Sequence, residues 1–475
     1  MLFFLDQHGC AKNQVDGELL IGILNAKGWT RTDIPDEAAL IIINSCGFIE
    51  SAKQESLEAV ITARTAYPNA RVLLAGCLSE RYPEELSETL LEADAFFGNG
   101  DLSRFPELLE QMFPAEGTPT ARPVLCPPIC GVPSGERPEL LSFPGSAYVK
   151  ITEGCDNYCS FCAIPLIRGP LRSRTISDIA DECESLVLRG VWEINLIGQD
   201  LGSFGLDGGI SVPFGEKSPL AQLLARISTL SGDFRIRLLY IHPDNFPRDI
   251  LPVMVADPRL LPYFDIPFQS GDTTVIHRMN RKGNPEDYLR LVEDIRGAFV
   301  ESPYGKAVLR STFLLGFPGE TEKSFKKTVS FLTKLRCLWS GAFIWSREEG
   351  TASESFGRGA SKKTAQKRLD ALLEIQRTIT PEELSFFVGQ HLEVLVEELI
   401  PLSDEDRATA ERTKMPPTQL ALARAWFQAP DVDGSVVLQF DETTRDNRGK
   451  PLEPGSVVTA KILNVNGVDV EAVVL

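Results

Sequence analysis

The chain has 475 residues, 43% of them hydrophobic, and ten cysteines, which is long enough for two to four domains with cores of their own. A formal net charge of -18 argues against a protein that grips nucleic-acid phosphates, so a basic protein partner is easier to accommodate than RNA. No apolar run reaches the length of about eighteen residues that a membrane helix needs; with no export signal, the cysteines point to a reducing, cytoplasmic setting where thiols serve metals or catalysis.

Taken in chain order, Met1 to Leu5 reads as a first strand rather than a signal peptide. Across residues 1–125, strand-like runs at Leu2 to Leu5, Ala39 to Ile43 and Arg71 to Ala75 alternate with helical periodicity at Asp16 to Lys27 and Ser51 to Ala66. That rhythm predicts an α/β domain on a mainly parallel sheet. Each strand is followed within five residues by a cysteine: Cys10, Cys46 and Cys77. Ligand sites in such sheets gather outside the carboxyl ends of the strands, so the three thiols are expected at one edge. Free cysteine also packs well in cores. These three, however, sit in the turns Gly9-Cys10, Cys46-Gly47 and Gly76-Cys77, and spacing leaves both readings open.

A linker over 126–141, rich in proline and glycine, carries Cys126 and Cys130, read as idle thiols; Cys183 and Cys337 fall in helical sequence and read as core. From 142 to 382, strand then helix repeats six times. The strands are expected at Ala147 to Thr152, Trp192 to Ile197, Arg235 to Ile241, Tyr263 to Phe268, Val308 to Leu315 and Gly341 to Trp345. Six such units predict a partial barrel with its site at the carboxyl ends of the strands. Gly198-Gln199-Asp200, His242-Pro243-Asp244, Gln269-Ser270-Gly271 and Gly316-Phe317-Pro318 follow successive strands and fit a cofactor-binding rim.

Directly after the first of these strands stand Cys155, Cys159 and Cys162, spaced by four and three. A four-iron cube takes one thiolate per iron, and no fourth cysteine follows at short range, so one iron would remain open. Open coordination positions mark chemistry and closed ones mark structure. A zinc site and three unrelated thiols are the alternatives. Zinc would want a further Cys or His nearby, and no histidine lies between His8 and His242.

Residues 384–475 change character. Leu392 to Glu397, Gly434 to Gln439, Ser456 to Ile462 and Val468 to Val474 alternate apolar and polar residues, which predicts a small antiparallel β-barrel. From residue 386 onward, roughly fifteen acidic side chains face eight basic ones, the wrong sign for holding phosphate.

The Cys-x3-Cys-x2-Cys spacing resembles the signature of radical S-adenosylmethionine (SAM) enzymes. Two cysteine trios in this order before a β-barrel tail resemble the methylthiotransferases of that superfamily over essentially the whole chain. The resemblance implies an N-terminal domain with an auxiliary 4Fe-4S cluster on Cys10, Cys46 and Cys77. It implies a second 4Fe-4S cluster, the one that binds SAM, on Cys155, Cys159 and Cys162, and a C-terminal TRAM barrel. It also implies sulfur insertion into an unactivated C–H bond with delivery of a methylthio group, and a protein reductant. Phe161, Gln199 and Gly316 are then candidates for the SAM pocket, the glycine for close backbone approach.

Gly9 to Glu18, Asn44 to Ser56, Cys159 to Gly169 and Gln428 to Gly434 resemble the branch that modifies an aspartate β-carbon in small-subunit ribosomal protein twelve. Gln269-Ser270-Gly271 and His242-Pro243 resemble the branch that modifies a tRNA adenosine beside the anticodon. Arg168, Arg172 and Arg174 could clamp a substrate carboxylate or lie solvated at the surface. A cluster-bearing, non-catalytic ribosome-binding protein is the alternative of another class.

Overall fold

The computed structural model describes residues 1–208, 217–401 and 419–475. The N-terminal sheet has six parallel strands in the order Thr30–Arg31, Leu2–Gln7, Leu40–Ser45, Arg71–Gly76, Ala95–Phe97 and Val124–Leu125. Leu40–Ser45 is buried along its whole length, because apolar clusters cover both faces; hence its unbroken aliphatic run. Phe3, Leu40 and Ile42 pack with Leu20 and Leu24 of the helix Ala11–Ala26, and Ile41, Ile43 and Val72 with Val60 of Glu50–Ala66. The register sets Gln7 beside Asn44, and Asn44 beside Ala75. The three strands therefore finish level, and their turns open on one edge.

The central sheet runs Ser146–Lys150, Glu193–Ile197, Arg235–Leu238, Leu260–Asp265, Val308–Leu315, Trp339–Ile344, all parallel and in sequence order. Its first and last strands do not pair, so the barrel is partial. Amphipathic helices such as Pro219–Ile227 and Pro285–Phe299 bury Leu224, Ile227, Leu291 and Ile295 against it. The fourth strand lies earlier than the expected Tyr263 to Phe268. Pro267 has no N–H for the ladder, and the chain leaves the sheet after Asp265.

The tail is a closed barrel of five strands: His391–Ile400, Gln419–Ala425, Val436–Phe440, Asp469–Val474 and Val457–Asn466. Sequence reading missed Gln419–Ala425, whose alanines favour strand poorly. The pairing of Val436–Phe440 with Asp469–Val474 is parallel; the other four are antiparallel.

The segment from Trp426 to Asp433 docks on the inner side of the central sheet. Arg237 Nη1 donates to the Trp426 carbonyl at 2.7 Å, and Trp339 Nε1 to the Phe427 carbonyl at 2.7 Å. The hydroxyls of Tyr148 and Tyr263 donate to Asp431 and Asp433 at 2.9 and 2.6 Å. Two of the acids that weighed against phosphate binding thus face the central sheet.

Glu193, 1% exposed, joins the two barrels by accepting from Arg237 at 3.0 Å and Arg424 at 2.7 Å. Burial alone would raise its pKa, but the two guanidinium groups outweigh that and hold it at about 2. Glu193→Ala strands the buried Arg237 and leaves Arg424 to Glu397 alone, and the expected loss is about 3–5 kcal/mol, read as a lower urea midpoint of the first unfolding transition. Because the folded pKa is depressed, the triad's contribution is complete above the ordinary carboxyl value of 4.5 and fades as pH falls toward 2.

The linker ties the domains together. Arg137, 5% exposed, pairs with Glu18 of the helix Ala11–Ala26 at 2.6 Å and with Glu182 of the helix Ile176–Leu188. Among the described residues no helix is long and apolar enough to cross a membrane.

Candidate metal centres at the domain junction

The first trio is assembled from three turns that glycine lets close together. Gly9 has φ +89°, and a Cβ there would come within 3.1 Å of Cys46 Cβ; a Cβ at Gly47 would come within 2.7 Å of the Cys77 carbonyl oxygen. Asn13, 1% exposed, binds the turns from inside: its amide donates to the carbonyls of His8, Asn44 and Ser45 at 2.8, 3.1 and 3.2 Å. Asn44 returns a bond to the Asn13 carbonyl at 2.7 Å. Cys10 is the N-cap of Ala11–Ala26. Burial pushes Cys77 up to about 12, Arg168 opposes that, and Cys10 and Cys46 add to it. Burial also raises Cys46.

The second trio lies on the loop after Ser146–Lys150. This loop is pinned where Thr152–Glu153 pairs with Arg172–Ser173 and where Cys155 N–H donates to the Gly169 carbonyl at 3.2 Å. Asn157 donates to Cys155 Sγ at 3.4 Å and to Asp200 at 2.9 Å, and Asn245 also donates to Asp200, at 2.6 Å. Burial raises Cys155 to about 11 and Cys162 to about 12, with further lifts from neighbouring thiols of the trio. His242 Nε2 lies 3.8 Å from Cys159 Sγ. Burial, with Arg281 and Lys282, holds that imidazole neutral, its pKa lowered to about 2. Its place beside the trio was not legible in sequence, since 82 residues separate it from Cys159.

Among the described residues no three His, Cys, Asp or Glu side chains stand close enough to share one metal ion. Cys183 and Cys337 are fully buried core residues. Cys126 is half-buried, 3.5 Å from the Ser79 carbonyl, and Cys130 is exposed.

The trios are joined by Arg168, at the end of the short helix Ile164–Arg168 that begins just after Cys162. It is 3% exposed. Its Nη2 is 3.0 Å from Cys77 Sγ, and its Nη1 donates to Asp16 at 2.6 Å and lies 3.4 Å from Glu153. With the Asn99 amide oriented to satisfy both ends, its oxygen accepts from Arg168 Nε at 3.1 Å. Neither sequence reading of the three arginines holds. Arg174 is buried against Asp178 and Glu182, and Arg172 is spent on the carbonyls of Arg168, Pro170 and Gly131. Acids already engage Arg168 and Arg174, and backbone carbonyls take up Arg172, which stays partly exposed.

A cavity of about 510 Å³ is lined by Phe48 and Ile49 after Cys46, by Phe161 beside Cys162, and by Gln269, Thr312 and Trp345 near the carboxyl ends of the central strands; none of the six cysteines lines it. Gln199 and Gly316 do not line it. Gln199 donates to Glu153 at 2.8 Å, and the space a Cβ would fill at Gly316 is occupied by Ala365 at 2.9 Å. Glu348, 4% exposed, closes one side by accepting from Arg81 at 3.1 Å and Lys53 at 3.3 Å, while Arg81 also holds the Gly47 carbonyl at 2.8 Å.

Residues 3–98 match the family described as Uncharacterized protein family UPF0004, residues 149–332 the Radical SAM superfamily, and residues 388–475 the TRAM domain. The chain is 54% identical, over 99% of its length and 100% of the relative's, to the ribosomal protein uS12 methylthiotransferase RimO of Treponema denticola. It is 38% identical to the protein of that name from Desulfosudis oleivorans, over 92% of this chain and 93% of the relative. Among solved structures, it resembles the radical SAM methyltransferase TsrM of Kitasatospora setae with a TM-score of 0.52 at 15% identity, over 72% of each chain, a likeness of fold.

Proposed function

This chain belongs to the ribosomal protein uS12 methylthiotransferase family, and from that premise we propose that it is the radical SAM enzyme that places a methylthio group on the β-carbon of an aspartate in uS12. The observation that carries the reading is the meeting of the two thiol-bearing loops at the domain junction, where Arg168 of the helix after Cys162 reaches Cys77 and Cys77 packs with Ala163 and Ile167. Cys10, Cys46 and Cys77 would hold one 4Fe-4S cluster and Cys155, Cys159 and Cys162 the other. When bound, the clusters and SAM supply the one-electron chemistry and the sulfur that an unactivated C–H bond demands, which no side-chain base could supply.

The protein's own part is to bind, orient and exclude water. Three protein thiols per trio leave one position of each cube for a ligand from outside the chain. Arg168 and Asn157 direct N–H groups at Cys77 and Cys155, the kind of outer partner that tunes a centre. Phe161, Phe48 and Trp345 give the cavity apolar walls, and the Arg81–Glu348 bridge keeps the Cys46 turn against the barrel. A protein reductant and a cytoplasmic location complete the proposal.

The tRNA alternative rested on the sequences at Gln269 and His242. Both side chains lie on the cofactor side, one lining the cavity and the other beside Cys159. In a strain lacking the gene, peptides of uS12 are expected to lose the mass of the methylthio group while digested tRNA keeps its modified adenosine. Loss from tRNA with uS12 unaltered would refute the assignment.

A further inference from the structure

The first turn of the helix Ala11–Ala26 carries a buried cation with no anion. Lys12 is 8% exposed, yet among the described residues its Nζ donates no hydrogen bond and pairs with no carboxylate. Its one close contact is the ring of Tyr240, whose centroid lies 3.2 Å away. The neighbouring cations are all paired: the buried Lys150 with Asp16 and Glu153, the buried Arg168 with Asp16, and the partly exposed Arg310 with Asp433. Cys10, Asp265 and Glu153 are near enough to be felt by Lys12, as is Arg168, but none touches its ammonium. Asp265, the acid that would most oppose a second carboxylate there, faces Arg310 Nε at 3.9 Å. A buried charge without a partner is costly, and a ring face recovers only part of the cost.

Tyr240 adds two oddities. It follows the strand Arg235–Leu238 with φ +72°, a conformation that bulky residues hold only where the surroundings force it, most often at functional sites. Its hydroxyl also finds no partner among the described residues, although a largely buried tyrosine usually finds one. Lys12 stands two residues after Cys10, and Tyr240 two residues before His242, which touches Cys159. The unpartnered pair therefore adjoins a segment from each trio, the Cys10 turn on one side and the His242 turn beside Cys159 on the other.

We infer that Lys12 and Tyr240 form the seat for the side-chain carboxylate of the aspartate being modified. The inference rests on the function proposed above. A carboxylate there supplies the missing counter-charge and gives the Tyr240 hydroxyl an acceptor. It also fixes the adjacent β-carbon beside those two segments. Lysine suits the task as a compact point charge, where the arginine fork would need more room. The same seat gives specificity, since an uncharged side chain would leave the ammonium unpaired.

The test uses the full chain with both clusters reconstituted, titrated with a uS12 peptide that carries aspartate at the target position and with its asparagine counterpart. Wild type is expected to bind the aspartate peptide at least tenfold more tightly. Lys12→Met should erase that preference by weakening the aspartate peptide alone, with iron content and electron paramagnetic resonance spectrum unchanged. Lys12→Arg should recover part of it. A Lys12→Met protein that keeps the tenfold preference overturns the inference. So does joint loss of first-trio iron in Lys12→Met and Lys12→Gln, which would make Lys12 a support of the metal centre. If wild type binds neither peptide and leaves uS12 unmodified, the function reading itself fails, and the seat with it.

Discussion

A Cys159→Ala variant is expected to yield no 5′-deoxyadenosine from SAM under reduction, while Cys46→Ala yields it at close to the wild-type rate and transfers no methylthio group. The two trios occupy separate loops on separate sheets: Cys46 closes the strand Leu40–Ser45, and Cys159 lies on the loop after Ser146–Lys150. On the proposed assignment each thiol would be one of only three holding its centre. Its loss should cost more than the roughly 10–100-fold that removal of an outer partner costs. Chromatographic assay of 5′-deoxyadenosine and mass analysis of the uS12 peptide, on the same samples, read the two losses separately. Should Cys46→Ala stop SAM cleavage as well, the division of labour between the trios would be wrong.

The positions of the six cysteines, in turns after strands and on the loop after Ser146–Lys150, were legible because the signal is local: a turn after a strand in the first trio, and a four-then-three spacing after a strand in the second. Parallel topology then brings the distant turns to one edge, and strand register alone is enough to predict that convergence. The polar residues of Ala11–Ala26 were harder to read. Lys12, Asn13, Asp16 and Glu18 are buried although all are of types normally exposed. They face the linker and the central barrel, through Lys150, Arg168 and Arg137. Those partners of Asp16 and Glu18 lie more than a hundred residues away, so no helical period announces them. The same holds for Asp431 and Asp433, counted as surface acids until docking on the central sheet gave them tyrosine and arginine partners. The missed strand Gln419–Ala425 has a different cause. Barrel closure, not its own propensity, makes it a strand.

Arg168→Met is expected to lower stability by about 3–5 kcal/mol and to strip iron from the first trio. The guanidinium serves three directions at once: Asp16 on Nη1, Cys77 on Nη2 and Asn99 on Nε. Burial works against its charge, but Cys77, Asp16 and Glu153 outweigh burial and hold its pKa well above the ordinary arginine value. Removing it leaves the buried Asp16 to Lys150 alone and takes the donor away from Cys77. A thiolate that must carry metal charge in a buried site then loses its nearest opposing cation. Lysine cannot restore the geometry, because one ammonium does not reach three partners in a plane. Arg168→Lys should thus recover stability more than iron. Iron and sulfide content of the reconstituted protein, set beside its urea midpoint, decides the matter. Full iron at wild-type stability in Arg168→Met would show that the junction does not depend on this side chain.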